Sequence, residues 1–438
     1  MAILTEDQAR EIMQKVVKLS EADFCEVNLS GSKGGNIRYA RNTVTTSGEE
    51  DNTSLVVQSS YGEKTGTATI NEFDEASLEK VVRRSEELAE LAPENPEFME
   101  PLGPQEYKQS NTWSDSTANI SPDYRAEAAA NSINPSKNQD LVAAGFLEDG
   151  AGFSAIMNNK GLFAYNRETD VEFSVTIRTR DGRGSGWVSR DFNDVSNLDT
   201  ASASQIAIDK SIGSADAVAL EPGRYTVILE PHASAGLLQN MFYSLDARSA
   251  DEGRSFMSKA GGGSRLGEKM FDERVTIYSD PFDPNVPETP WTGSGQPVEK
   301  TMWIENGVVK NLSYSRYWAK ENDREPLPGP VNGIMLGGDK STADLVAETE
   351  RGILVTRTWY IRMVDPQSLL LTGLTRDGTF YIEDGEIKHA VKNFRFNESP
   401  VIMLNNVEEI GKPVRTSGNM IPPMKIRDFT FSSLSDAV

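Results

Sequence analysis

The sequence predicts an α+β protein. An N-terminal α/β domain over residues 1–195 carries an antiparallel meander, and a C-terminal domain over 196–438 is dominated by a large antiparallel or barrel-like sheet. Three observations predict this. Helix-period apolar stripes bracket strand-period ones near the start, short β-like segments alternate with turn residues through the middle, and two hairpin signatures stand in the last third.

Thr5-Glu6-Asp7-Gln8 has the form of a capping box, and Ile12, Met13, Val16, Val17 and Leu19 continue it at helical spacing. Residues 24–30 and 36–46 alternate as strands, with Gly31 to Gly35 expected as the turn between them. Ser54 to Ser60 and Thr65 to Ile70 flank Tyr61-Gly62-Glu63-Lys64 as a hairpin. Asp74 to Leu91 is a second amphipathic helix, with Leu78, Val81, Val82 and Leu88 near one face. Residues 92–122, rich in Pro, Glu, Ser and Asn, form a long surface segment or linker. Ser121-Pro122 opens a helix reaching about Ile133, because proline suits the first helical position.

Four β-like segments follow, 141–147, 151–158, 161–166 and 171–180, with Asp149-Gly150 and Asn159-Lys160-Gly161 as turns. Asn197 to about Ser214 is helical. Arg224 to Leu229 is a strand, and Pro231 to Ser244 a helix striped by Ala235, Leu238, Met241, Phe242 and Leu245. From about 270 onward the pattern is almost all strand and turn. Thr301 to Lys310 resembles Thr379 to Lys388, each centred on Asn306-Gly307 or Asp384-Gly385. Such dipeptides favour two-residue hairpins because both central positions need positive φ.

Bulk composition narrows the function classes. With 66 acidic against 44 basic residues, the net charge is -22. A surface this acidic repels phosphate backbones, and no Lys/Arg run interrupts it, so no nucleic-acid partner is expected. One cysteine, Cys25, rules out an intrachain disulfide framework and suits a reducing cytoplasm; Phe24-Cys25-Glu26-Val27 reads as buried strand. The N-terminus lacks a basic region and apolar run, and no stretch of about 18 apolar residues occurs, so neither signal peptide nor membrane span is expected.

Histidine is the informative residue, since there are only two, His232 and His389. A His-Glu-x-x-His zinc site needs two histidines one turn apart, and no such pair exists. Asp280, Asp283 and Glu288 lack calcium-loop spacing and read as solvated acids. Ser185 and Ser294 lack the first glycine of a nucleophile elbow, where Arg183 and Thr292 stand. Gly337-Gly338-Asp339-Lys340-Ser341-Thr342 puts a carboxylate into what would be a phosphate loop, and Gly261-Gly262-Gly263 reads as a flexible loop. His232, just after Glu230-Pro231, sits where a helix N-terminus lowers an imidazole pKa.

The stretch Val227-Ile228-Leu229-Glu230-Pro231-His232-Ala233-Ser234-Ala235-Gly236-Leu237-Leu238 resembles the central motif of the TldD/PmbA family of peptidase-related proteins. So do Leu245 to Phe256, Leu266-Gly267-Glu268-Lys269, Asp280-Pro281, Gly378 to Val391, and Arg427 to Ser433. The order and spacing of these motifs carry the likeness over nearly the whole chain. One subunit type of that family carries His-Glu-x-x-x-His on the central helix and a cysteine ligand near its C-terminus. Here those motif positions fall on about Pro231, His232 and Gly236, and Cys25 is at the wrong end.

The resemblance therefore implies the TldE/PmbA type, without a catalytic residue or metal of its own. Zinc is expected in a TldD-type partner carrying His-Glu-x-x-x-His. The pair would be a heterodimeric metalloprotease that degrades unfolded peptides or matures peptide precursors, and a homodimer is the other expected assembly. Arg254, Ser255 and Phe256 become candidate peptide or interface contacts. An extended peptide can pair with an exposed strand edge whatever its sequence. Two other readings stand beside this one: a self-associating peptide-binding scaffold, and a hydrolase acting through His232 or His389 with nearby acids.

Overall fold

The computed structural model describes residues 3–435. Helix α1 (Glu6–Leu19) starts at the anticipated capping box, in which the Gln8 amide donates to Thr5 Oγ1 at 3.3 Å and Gln8 Oε1 accepts from the Thr5 amide at 3.0 Å. Strands β1 (Phe24–Ala40), β2 (Thr43–Tyr61) and β3 (Lys64–Ile70) form the meander, and α2 (Glu75–Leu91) closes it. After a long extended segment come α3 (Asp115–Ala118), α4 (Pro122–Asn138), β4 (Leu141–Asn158), β5 (Phe163–Thr179), β6 (Ser185–Phe192) and α5 (Thr200–Gly213). The six strands make one antiparallel sheet in the order β3-β2-β1-β4-β5-β6.

Two expected turns are strand instead. Gly31 to Gly35 lies inside β1, paired to β2 on one side and β4 on the other. Close approach explains the glycines: a Cβ on Gly31 would sit 2.5 Å from the Phe153 ring, and one on Gly35 2.0 Å from the Arg125 guanidinium. The chain reverses at Arg41-Asn42, where φ is 51° and 61°. Asp149-Gly150 likewise stays in β4, because the Asp149 carboxylate holds buried Arg125 at 2.8 Å. What looked like short segments are therefore long, continuous strands with a core at each end. Cys25, Val27 and Leu29 pack under α1 and α2, and Ile37 and Tyr39 pack under α4. Residues 92–114 cross to the second half, where the Tyr107 hydroxyl donates to Gly295 O at 2.6 Å and Ser110 Oγ to Pro281 O at 2.6 Å.

The second half opens with β7 (Gly223–Leu229), α6 (Pro231–Phe242) and α7 (Ala247–Asp251). Then follow β8 (Ile277–Ser279), β9 (Thr301–Glu305), β10 (Val308–Val309), α8 (Arg316–Glu321), β11 (Ile334–Met335), α9 (Thr342–Ala347), β12 (Arg351–Asp365), β13 (Leu370–Glu383) and β14 (Glu386–Ala390). The chain ends with β15 (Phe394–Glu398), α10 (Pro400–Asn405), β16 (Val407–Ile410), β17 (Val414–Thr416), β18 (Asn419–Ile421) and β19 (Met424–Leu434).

Strands β12, β7, β19, β15 and β13 close into a five-stranded barrel, since β12 also pairs with β13. The anticipated barrel-like sheet is thus present. One buried face of these strands is aromatic: Phe394 stacks on Phe431 at 4.4 Å, and Phe396 meets Phe429 edge-on. Both hairpin dipeptides adopt positive φ, 50° and 77° at Asn306-Gly307 and 52° and 76° at Asp384-Gly385. The short helices α8, α9 and α10 were hidden in a stretch read as strand and turn. Each is announced by a serine cap, Ser315, Ser341 or Ser399. Ser341 caps α9 in a box with Asp344, and Lys340 pairs with Glu348 and Glu409, so that glycine-rich stretch is a helix entry.

Candidate functional site

Helix α6 leaves the barrel directly after β7, whose Val227, Ile228 and Leu229 are fully buried. The Glu230 amide donates to Val355 O at 3.0 Å and the Glu230 carboxylate takes Lys210 at 2.6 Å, so the helix start is tied to β12 and α5 together. Proline at the first helical position fixes the entry angle. Ala233, Leu237, Leu238 and Met241 pack into the hydrophobic core of the second half, and the first turn of α6 reaches the edge strand β6 through His232.

His232 is the side chain that bridges those layers. Its Nε2 donates to Ser189 O on β6 at 3.2 Å, and its ring stands edge-on to Trp187 at 4.7 Å. Burial pushes the imidazole down to about 4, and the guanidiniums of Arg190 and Arg357 add to the shift. The ring is therefore neutral near pH 7. Its Nε2 proton faces a carbonyl, so that nitrogen has no lone pair to give a metal.

Gly236 lies one turn on. A Cβ there would come within 2.5 Å of Thr358 Oγ1 and 3.2 Å of Ile361 Cδ1, so a side chain on α6 at this point would displace those two β12 side chains. Pro231 and Gly236 offer no ligand, and this helix face does not fit a zinc ion. Among the described residues, no three His, Cys, Asp or Glu side chains converge on a metal-sized centre.

What the helix does border is a cavity of about 330 Å³, walled by Trp187, His232, Phe242, Arg357 and Trp359. Arg357 is sandwiched there, 4.1 Å from the Trp187 ring and 4.5 Å from the Trp359 ring. Its charge is held by Asp377 at 3.4 Å, and Asp377 also accepts from Ser185 Oγ at 2.6 Å. Ser185 is thereby a buried strand residue bound to a carboxylate, with no histidine at hand. Sequence reading passed over Trp187, Arg357 and Trp359; the signal was Arg357 and Trp359 two apart, which strand alternation places on one face.

A second cavity of about 400 Å³ adjoins through Ser417, and Ser189, whose carbonyl accepts from His232, lines it. Asp191 organises it, accepting from the amides of Ser417 and Gly418 at 2.7 and 2.8 Å and from Arg415 Nε at 3.0 Å. Glu288 points here, and burial raises it to about 7, with the Glu168 charge adding to the shift. The structure thus separates the three acids grouped by sequence. Asp280 bonds the Phe282 amide and Asp283 the Asn285 amide, whereas Glu288 is half-buried elsewhere and is not a solvated loop acid.

The remaining sequence candidates fall away from this cavity. Phe256 is 3% exposed in the barrel core, and Ser255 is buried with its hydroxyl toward Ser244 O. Arg254 is at the surface beside Glu252. His389 stacks on Tyr381, its Nδ1 3.0 Å from Ala390 O. Cys25 is buried, and its thiol is raised to about 11 by desolvation.

Profiles of the PmbA/TldA metallopeptidases match the chain in order: domain 1 over residues 25–89, the central domain over 119–214 and the C-terminal domain over 222–433. A protein named metalloprotease from Methanothermobacter thermautotrophicus is 22% identical over 60% of this chain and 60% of its own. Another metalloprotease, from Archaeoglobus fulgidus, is 25% identical over 47% of this chain and 45% of its own. The chain therefore spans 60% or less of the length of these curated relatives. Among solved structures, TldE from Thermococcus kodakarensis superposes with a TM-score of 0.87 at 19% identity, over 96% of this chain and 100% of that one. A putative modulator of a DNA gyrase from Thermotoga maritima gives 0.86 at 18% identity, over 97% and 100%. At such identities the likeness shows a shared fold.

Proposed function

This chain belongs to the PmbA/TldD metallopeptidase family, and from that premise we propose that it is the non-catalytic subunit of a two-chain metalloprotease acting on unfolded peptides or peptide precursors in the cytoplasm. One observation carries the reading: at the family's metal-binding helix this chain has Pro231, a neutral His232 turned to Ser189 O, and Gly236 pressed against Thr358. A TldD-type partner with His-Glu-x-x-x-His would hold the zinc. This chain would wall the chamber around it with α6, Trp187 and Trp359.

An exposed apolar stretch of strand supports the reading. The outer part of β12 exposes Trp359, Tyr360, Met363 and Val364 by 42, 63, 40 and 55%. Arg254 stands near its tip, where Gln367 Nε2 donates to Gly253 O at 3.0 Å. Exposed aromatic and arginine side chains are the residues on which interfaces concentrate their energy.

The test mixes this chain with a purified TldD-type subunit and follows both co-elution and peptide cleavage. Co-elution with cleavage appearing only on mixing is the expected result, and the double substitution Trp359→Ser, Tyr360→Ser abolishes both. A chain that forms homodimers and binds peptide without turnover, partner present, is a scaffold and overturns the proposal.

A further inference from the structure

Strand β5 sorts its side chains by charge. Glu168, Asp170 and Glu172 line the acidic cavity beside Asp191, whereas Tyr165 and Arg167, on the other parity, line two depressions against α1 and the 92–122 segment. Those depressions, of about 560 and 450 Å³, share Glu6, Trp113, Tyr165 and Arg167 and so form one trough. None of its residues borders the cavity at α6.

The trough is basic and aromatic in a chain of net charge -22. Arg167 lies 4.4 Å over the Trp113 ring, and Arg10 lies 3.6 Å over Phe163. Its one acid, Glu6, is occupied by Arg10 at 2.8 Å, and Lys108 is occupied by Glu299. Lys33 and Arg167 have no carboxylate within ion-pair distance among the described residues. The charge left over in this trough is therefore positive, held on an arginine whose stacking on indole leaves its N–H edge open.

We propose that this trough binds an acidic peptide segment, with Arg167 forking a side-chain or terminal carboxylate and Trp113 and Tyr165 giving flat apolar contact. Lys33 and Arg167, unpaired among the described residues, match one or two carboxylates. They are too few to neutralise a phosphate backbone, whose binding strength grows with each phosphate contacted. The site would let the chain hold an acidic peptide segment away from α6.

Fluorescence anisotropy of the full chain with a labelled Glu/Leu peptide tests this, against its Gln/Leu counterpart. The Glu/Leu peptide binds and the Gln/Leu peptide does not. Arg167→Glu weakens binding about tenfold or more, Lys33→Glu weakens it less, and His232→Gln leaves it unchanged. Arg167 is exposed, so an unaltered urea midpoint is expected for the variant; Arg167→Gln, without the reversed charge, serves if that midpoint falls. Equal binding of both peptides, or full binding by Arg167→Glu and Arg167→Gln, overturns the proposal. So does an oligothymidylate that displaces the peptide with a steeper salt dependence, since the site is then a nucleic-acid one.

Discussion

Replacing His232 by glutamine asks whether this side chain is a structural wedge between α6 and β6. In the folded chain the imidazole is held near 4, while in the unfolded chain it returns to 6.5. A depressed histidine is the reverse of a salt-bridged one: between these values the unfolded chain binds the proton and the folded chain does not. Stability from this group is complete above pH 6.5 and is lost as pH falls toward 4. Linkage then puts the extra loss between pH 7 and pH 5 at about 2 kcal/mol. Glutamine keeps an N–H for Ser189 O but does not titrate. Urea unfolding at both pH values should show wild type losing about 2 kcal/mol more than His232→Gln. With only two histidines in the chain, the His232 ring resonance is assigned by its disappearance in the variant. Equal losses, or a His232 resonance titrating near 6.5, would refute the buried neutral ring.

Three further outcomes follow from the same geometry. Gly236→His should leave the chain metal-free by equilibrium dialysis and destabilise it by about 1–3 kcal/mol, since a Cβ there already meets Thr358 Oγ1 at 2.5 Å. Asp149→Ala should cost about 3–5 kcal/mol in urea unfolding, because it strips the buried Arg125 guanidinium of its main partner. Glu288→Gln should stabilise the chain at pH 8 by about 1–2 kcal/mol and have little effect at pH 4. The sign follows from a carboxyl raised to about 7, whose charged form penalises the fold as pH climbs from 4.5 to 7.

Local signals were legible where one residue decides the backbone. Thr5, Asn306-Gly307 and Asp384-Gly385 each fixed a cap or a turn in advance. Glycine misled where its cause was tertiary: Gly31 to Gly35 reads as a turn until Phe153 and Arg125 are seen lying against it. A barrel-like sheet was legible, but its strand order was not, because β7 pairs with β12 and β19, strands more than a hundred residues away. The resemblance directed attention to α6 through the stretch Val227 to Leu238, and Pro231 and Gly236 there carry no ligating side chain. The Trp187–Arg357–Trp359 stack was not legible, since its members come from β6 and β12 and meet only through the fold.

The account rests on this chain having no metal centre of its own. The direct measurement is the zinc content of the purified chain after dialysis against zinc, read together with EDTA-sensitive cleavage of an unfolded peptide by the chain alone. The account predicts substoichiometric zinc and no cleavage. One zinc per chain with cleavage abolished by EDTA would contradict it, and would require ligands other than the helix positions 231, 232 and 236.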